Sequence, residues 1–116
     1  MALLEQAAKT FMERFILEAV LRDVDGEEAG EIAALYTAQA YIALPLVEPE
    51  VKSWKLGFLG NREDALIMRA IAFIVTRARN TGDPLPHVEV LKATFDHYAE
   101  KTPKARRHID DIPWAI

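Results

Sequence analysis

The stretch DALIMRAIAFIVTRARN, residues 64–80, decides the fold, because its apolar residues leave almost no polar face. From Ala65 to Val75 they occupy nearly every side of a helix with 3.6 residues per turn. A helix of this kind is usually covered by its neighbours, so we predict a central helix over residues 62–80. Arg69 is the one charge between Ala65 and Val75, and burying that charge unpaired would be costly. We expect Arg69 to reach a polar seam or an acid of the first two helices, with an anion site as the alternative.

Two more helices are predicted before the central one. Residues 2–22 carry apolar residues at helical spacing on a wide face, with Leu4, Ala8, Phe11, Phe15 and Ala19 along its middle. Residues 26–44 form a second helix, whose many alanines allow another helix to approach closely. We expect Pro45 to end this second helix, because proline lacks an amide donor and clashes with the preceding turn.

The acidic turn DVDGEE, residues 23–28, has acids at alternate positions before a glycine, as a calcium-binding EF-hand loop does. In that register the first and twelfth ligand positions would be Leu21 and Ile32, which cannot coordinate a cation. We therefore predict no metal site here. Asp25 is instead expected to cap the second helix, with Glu28 reaching back in a capping box.

Large apolar residues cluster where the chain should turn, in the stretch WKLGFLG at residues 54–60. Pro49 is typical of a first helical position, so we predict a short helix that begins there and ends near Leu56. The apolar residues of this segment are Trp54, Leu56, Phe58 and Leu59. They either cover the open end of a helical bundle or form an exposed site for a partner protein, where large aromatic residues are over-represented.

The C-terminal third predicts a fourth helix after the turn at residues 81–87, with an apolar stripe formed by Val88, Leu91, Phe95 and Tyr98. Thr102 and Pro103 then begin a last short helix that ends before Pro113. Ile112 and Trp114 follow this helix. These two side chains either dock back onto the bundle or contact a partner.

A basic cluster lies in the same region, between Lys101 and His108. Its candidate contacts to an anion or a nucleic acid are Lys104, Arg106 and Arg107. The interpretation we favour is that these bases neutralise the neighbouring aspartates on a solvated helix. The formal net charge of −4, with ten acids against five bases in the first 60 residues, also disfavours a polyanionic partner.

Catalytic signals are weak throughout the chain. There is no cysteine, the one serine is Ser53, and no glycine-rich pattern for phosphate binding or for a nucleophile elbow is present. His87, His97 and His108 lack the spacing of a metal motif. We therefore expect a protein that is not an enzyme and uses no cofactor or metal. The cysteine-free composition and the lack of a signal peptide or membrane span favour the cytoplasm.

These patterns together predict an all-α fold in which residues 1–116 form one domain, a compact bundle of four main helices with one or two short ones. The predicted function is protein binding, as an adaptor, assembly factor or inhibitor, with self-association into a homo-oligomer as one form of it. The alternative is a small helical regulator that binds nucleic acid through the basic cluster. The predicted protein interface comprises Trp54, Leu56, Phe58, Leu59, Ile112 and Trp114.

Overall fold

The helices follow the apolar periodicity of the sequence closely, with one exception in the second helix. The computed structural model describes residues 2–52 and 62–114. The helices are α1 (Ala2–Leu21), α2 (Gly26–Lys52), α3 (Arg62–Thr81) and α4 (Val88–Lys101), and a 3₁₀ turn (Pro103–Ala105) leads into the short α5 (Arg106–Asp110). Within the described ranges there is no strand. The predicted all-α bundle of four main helices and a short one is confirmed.

The core forms where α3 lies against both α1 and α2, while α4 packs on α1 and carries α5. Three aromatic rings join α1 to α2, with centroids 6.1 Å apart for Phe11 and Phe15 and 5.8 Å apart for Phe15 and Tyr36. The predicted central position of α3 is confirmed by its largest buried side chains, Leu66, Ile67, Met68, Ile71, Ile74 and Val75.

One side of α2 forms a narrow buried seam that holds this helix in the bundle. The seam residues recur at alternating intervals of four and three, and most are alanines: Ala29, Ala33, Tyr36, Ala40, Ala43 and Val47. Small side chains on a helix let the backbone of a neighbouring helix come close, which increases the dispersion contacts along the whole length. We call these six residues the inner seam.

The prediction that Pro45 ends the second helix is wrong, as is the prediction of a new helix at Pro49. α2 continues through both prolines to Lys52. Pro45 and Pro49 lie on the exposed side of the helix, where water can reach the Tyr41 and Pro45 carbonyls that lose their amide partners. Because Ala43 and Val47 remain buried on the opposite side, tertiary packing holds the helix together across the two prolines.

The structure confirms the predicted capping at the start of α2 and the predicted turn at the end of α3. The backbone amides of Glu27 and Glu28 donate to Asp25 Oδ2 at 3.0 and 3.2 Å, so Asp25 is the predicted N-cap. The Glu28 carboxylate lies 3.5 Å from Nε2 of His87. At the end of α3, Gly82 adopts a φ of 79°, and the Asp83 amide donates to the Ala78 carbonyl at 3.0 Å. This left-handed end supports the turn predicted there.

Replacing Pro45 by Ala tests the continuity of α2. We expect Pro45→Ala to raise the free energy of unfolding by about 2 kcal/mol, because the new amide bonds the Tyr41 carbonyl while some unfolded-state entropy is regained. Urea unfolding followed by circular dichroism measures this. Pro84→Ala, in the exposed turn after α3, is the matched control and is expected to lower stability slightly. If Pro45→Ala lowers stability as Pro84→Ala does, the helix ends before Pro45.

Candidate protein-binding surface

The solvent side of α2 is apolar over most of its length. Between Ile32 and Val47 the sequence contains no charged residue, although only half of this stretch faces the core. Ile42 is 78% exposed and Leu46 is 64% exposed, the former being the most exposed large apolar side chain among the described residues. They belong to a stripe of exposed residues at intervals of three and four, which we call the outer face: Leu35, Ala38, Ile42, Leu46 and Pro49.

Neither helix propensity nor core packing explains the composition of the outer face. Ile loses side-chain freedom in a helix, so an exposed helical position ordinarily favours Ala, Glu or Lys. Single exposed apolar residues are common on protein surfaces, but a continuous stripe of them is uncommon on a monomer. The 15 residues from Leu35 to Pro49 rise about 21 Å along the helix, which is long enough to meet a partner helix over about four turns.

A second set of exposed apolar residues lies on α1 and differs from the outer face. Leu17, Val20 and Leu21 are exposed, and Leu21 is 66% exposed. Charged side chains end this set, since Arg22 and Asp23 follow directly and are exposed as well. The α1 set is therefore short and bordered by charge, whereas the outer face of α2 is an uncharged stripe of five residues.

Four of the residues predicted for the interface, Trp54, Leu56, Phe58 and Leu59, lie outside the described residues. The prediction that they form a protein contact or cover the bundle therefore stays a prediction.

The other two predicted interface residues dock back onto the bundle. Trp114 is only 6% exposed, and its ring meets that of Phe95 edge-on with centroids 5.0 Å apart. Trp114 Nε1 donates to the Ile109 carbonyl at 3.0 Å. Ile112 is half-buried against the same core. The assignment of Trp114 to a partner contact is therefore corrected, because burial by the core leaves its ring no surface for a partner.

Arg79 of α3 holds this C-terminal segment in place. Its Nε donates to the Pro113 carbonyl at 3.2 Å, and its Nη2 donates to the carbonyl of Trp114. Charge-assisted hydrogen bonds of this kind are stronger than neutral ones. The segment after α5 is thus fixed both by an aromatic contact and by a guanidinium.

The basic cluster is partly neutralised by aspartates, as the favoured interpretation expects. Arg106 lies 2.6 Å from Asp96 Oδ1 and 2.8 Å from Asp110 Oδ1, so it ties α5 to α4. Burial alone would raise the pKa of Asp96, but hydrogen bonds and charges of Arg106 and Lys92 outweigh burial and hold that pKa below its ordinary value. A guanidinium engaged with two carboxylates is poorly available to a phosphate.

The remaining candidate anion contacts are divided between two parts of the structure. Lys104 and Arg107 are exposed beside Arg106. Arg69 is half-buried in α3 and already interacts with another group of the chain. The structure therefore brings Lys104, Arg106 and Arg107 together but leaves Arg69 on a different helix.

A buried carboxylate, Glu18, is a feature that the sequence did not reveal. The spacing of Arg14, Glu18 and Arg22 predicts a surface ladder, yet Glu18 is only 7% exposed. Burial by itself raises the pKa of Glu18, but hydrogen bonds from Arg22 and Arg14 reverse the effect and lower it. Burial lowers the pKa of His97 on α4, and the positive charge of Arg14 lowers that pKa further. Both ion pairs of Glu18 lie within α1, and what no local pattern indicates is the burial of its carboxylate.

The comparisons with known proteins add no relative. No protein-family model, no curated protein and no solved structure matches the chain significantly. Over residues 2–52 and 62–114, no three or more metal-ligating side chains gather into a group that could hold an ion. In the same ranges no helix combines the length and the apolar content needed to cross a bilayer.

Replacing Trp114 tests its place in the core. We expect Trp114→Ala to lower the free energy of unfolding by about 3 kcal/mol, because the change leaves a cavity against Phe95. Trp114→Phe should cost less, since a ring still fills the site while the hydrogen bond to Ile109 is lost. Thermal and urea unfolding measure both variants. Unchanged stability of Trp114→Ala would show that the ring lies on the surface.

Proposed function

We propose that this protein is a protein-binding module that uses the outer face of α2. The observation that carries the proposal is the uncharged apolar stripe from Leu35 to Pro49, at whose middle Ile42 is 78% exposed. An amphipathic partner helix or an apolar groove recognises such a stripe through residues at helical spacing. The protein would then act as an adaptor, assembly factor or inhibitor, and we expect it to do so in the cytoplasm.

The energies available on the outer face suit reversible binding. Complete burial of a Leu or Ile side chain stabilises a complex by roughly 1.5–3 kcal/mol relative to full exposure. Leu35, Ile42 and Leu46 each keep a large exposed fraction, so each can still contribute part of that amount. The rotational and translational freedom that both partners lose on association opposes binding. We therefore expect moderate affinity and rapid exchange.

Nucleic-acid binding by the C-terminal basic cluster is supported less well. The two aspartates that engage Arg106 leave Lys104 and Arg107 as the exposed cations beside it. Two phosphate contacts give weak binding that falls with salt. The net charge of −4 adds a general repulsion for a polyanion.

Site-specific photo-crosslinking tests the proposed function. A benzophenone amino acid replaces Ile42 in cells of the source organism, and Leu21 is replaced in a matched control because its exposure of 66% is similar. We expect discrete protein adducts from position 42, including any formed with a second copy, and none of the same mass from position 21.

A flanking double variant makes this experiment specific. Leu35→Ser with Leu46→Ser removes the neighbouring apolar contacts, so the adducts at position 42 should fall at least about tenfold if each loss costs about 1 kcal/mol or more. Circular dichroism checks that the helices persist. Equal adducts from positions 21 and 42, or adducts at 42 that survive the double change, would contradict the proposed function.

A further inference from the structure

We propose that the outer face of α2 binds a second copy of the same chain, with the two α2 helices antiparallel and the two-fold axis at Ile42. This inference rests on the proposed function and names its partner. In a two-fold dimer each copy presents the same surface, so the surface must be complementary to itself. The outer face meets that condition in charge and in side-chain size.

The charges on α2 decide the relative direction of the two helices. Three acids, Glu27, Glu28 and Glu31, occupy its N-terminal turns. A parallel pair would bring these acids of both copies side by side, and like charges repel. An antiparallel pair separates them to opposite ends of the dimer, where each helix dipole also meets the opposite pole of the other. Between the two acidic ends, the uncharged stripe of one copy faces the uncharged stripe of the other.

The same acids select the register of the antiparallel pair. A two-fold axis between Ala38 and Gln39 would place Glu31 opposite Leu46 of the second copy. That register would press the charge of Glu31 against an apolar side chain, which is costly. An axis at Ile42 moves Glu31 beyond the uncharged stripe of the second copy.

With the axis at Ile42, identical side chains meet at the axis and a small residue faces a large one on each side of it. Ile42 packs against Ile42 of the second copy, Ala38 lies opposite Leu46, and Leu35 lies opposite Pro49. By symmetry the Ala38 and Leu46 pair occurs twice, once on each side of the axis. A small residue facing a large one fills the space between the helices at an ordinary interaxial distance of about 8–10 Å.

The size of the outer face sets the expected strength of the dimer. One helical stripe about 21 Å long buries less than the roughly 800 Å² per partner of a standard interface. The dissociation constant should therefore lie in the micromolar range, at roughly 1–100 µM. Such a dimer exchanges readily with the monomer.

Sedimentation equilibrium of the purified full chain, from roughly 1 µM to 1 mM, measures the association. We expect the mean mass to rise from monomer to dimer over this range. Ile42→Asp places two carboxylates together at the axis and should weaken the dimer at least about a hundredfold. Leu21→Asp, which introduces the same charge at an exposed apolar residue of α1, should leave the mass curve unchanged. Circular dichroism confirms that both variants stay folded.

Cysteine trapping tests the register, and the chain is well suited because it contains no cysteine. Ile42→Cys should form a disulfide-linked dimer under mild oxidation, since the two positions meet at the axis. Ala38→Cys alone should not, because its two copies lie about 12 Å apart along the helices. A mixture of Ala38→Cys and Leu46→Cys chains should link to each other.

The outcomes separate this inference from the proposed function. A monomer at every concentration, a dimer that Ile42→Asp leaves intact, or faster linking through Leu21→Cys than through Ile42→Cys would overturn the dimer. Photo-crosslinks from position 42 to a different protein would then still support protein binding by the outer face. Absence of any crosslink from position 42 together with a monomeric mass would overturn both.

Discussion

The inner seam of α2 is the contact on which the rest of the structure depends. Its alanines bring α2 close to its neighbours, and Tyr36 extends the aromatic contacts of α1. Because these contacts continue to Val47, they hold the helix together where Pro45 and Pro49 each remove a backbone hydrogen bond. The close packing therefore decides the length of α2, and it also fixes which side of the helix faces the solvent.

The exposed apolar stripe follows from that orientation. Once the inner seam is buried, the positions of Leu35, Ile42 and Leu46 must point outward. The remainder of the bundle closes without them, since Trp114 covers Phe95 and Arg79 secures the C-terminal segment. The apolar side chains of the outer face thus take no part in the core that the described residues form, which is why we propose that they bind a partner.

The sequence predicts the fold well because helical periodicity and capping are local. α1, α3 and α4 follow their apolar stripes, and Asp25 and Gly82 mark helix ends as expected. The errors arise where distant packing overrides a local rule, as at Pro45, or where a terminal aromatic residue such as Trp114 allows two interpretations. The predictions from the sequence missed the outer face. The available signal was the run without charge from residue 32 to residue 47, because burying one side of a helix does not require apolar residues on its other side as well.

Amide hydrogen exchange measured by NMR tests the central claim, which is that α2 is one continuous helix across Pro45. This continuity is what keeps the inner seam buried on one side of α2 and the outer face exposed on the other. In such a helix the amides of Leu46, Val47 and Glu48 donate to carbonyls four residues earlier, beyond Pro45. We predict that these three amides exchange at least about a hundredfold more slowly than in an unstructured chain, as amides in folded helices do. Exchange at the unstructured rate would contradict the account, because it would place the start of a separate helix after Pro45.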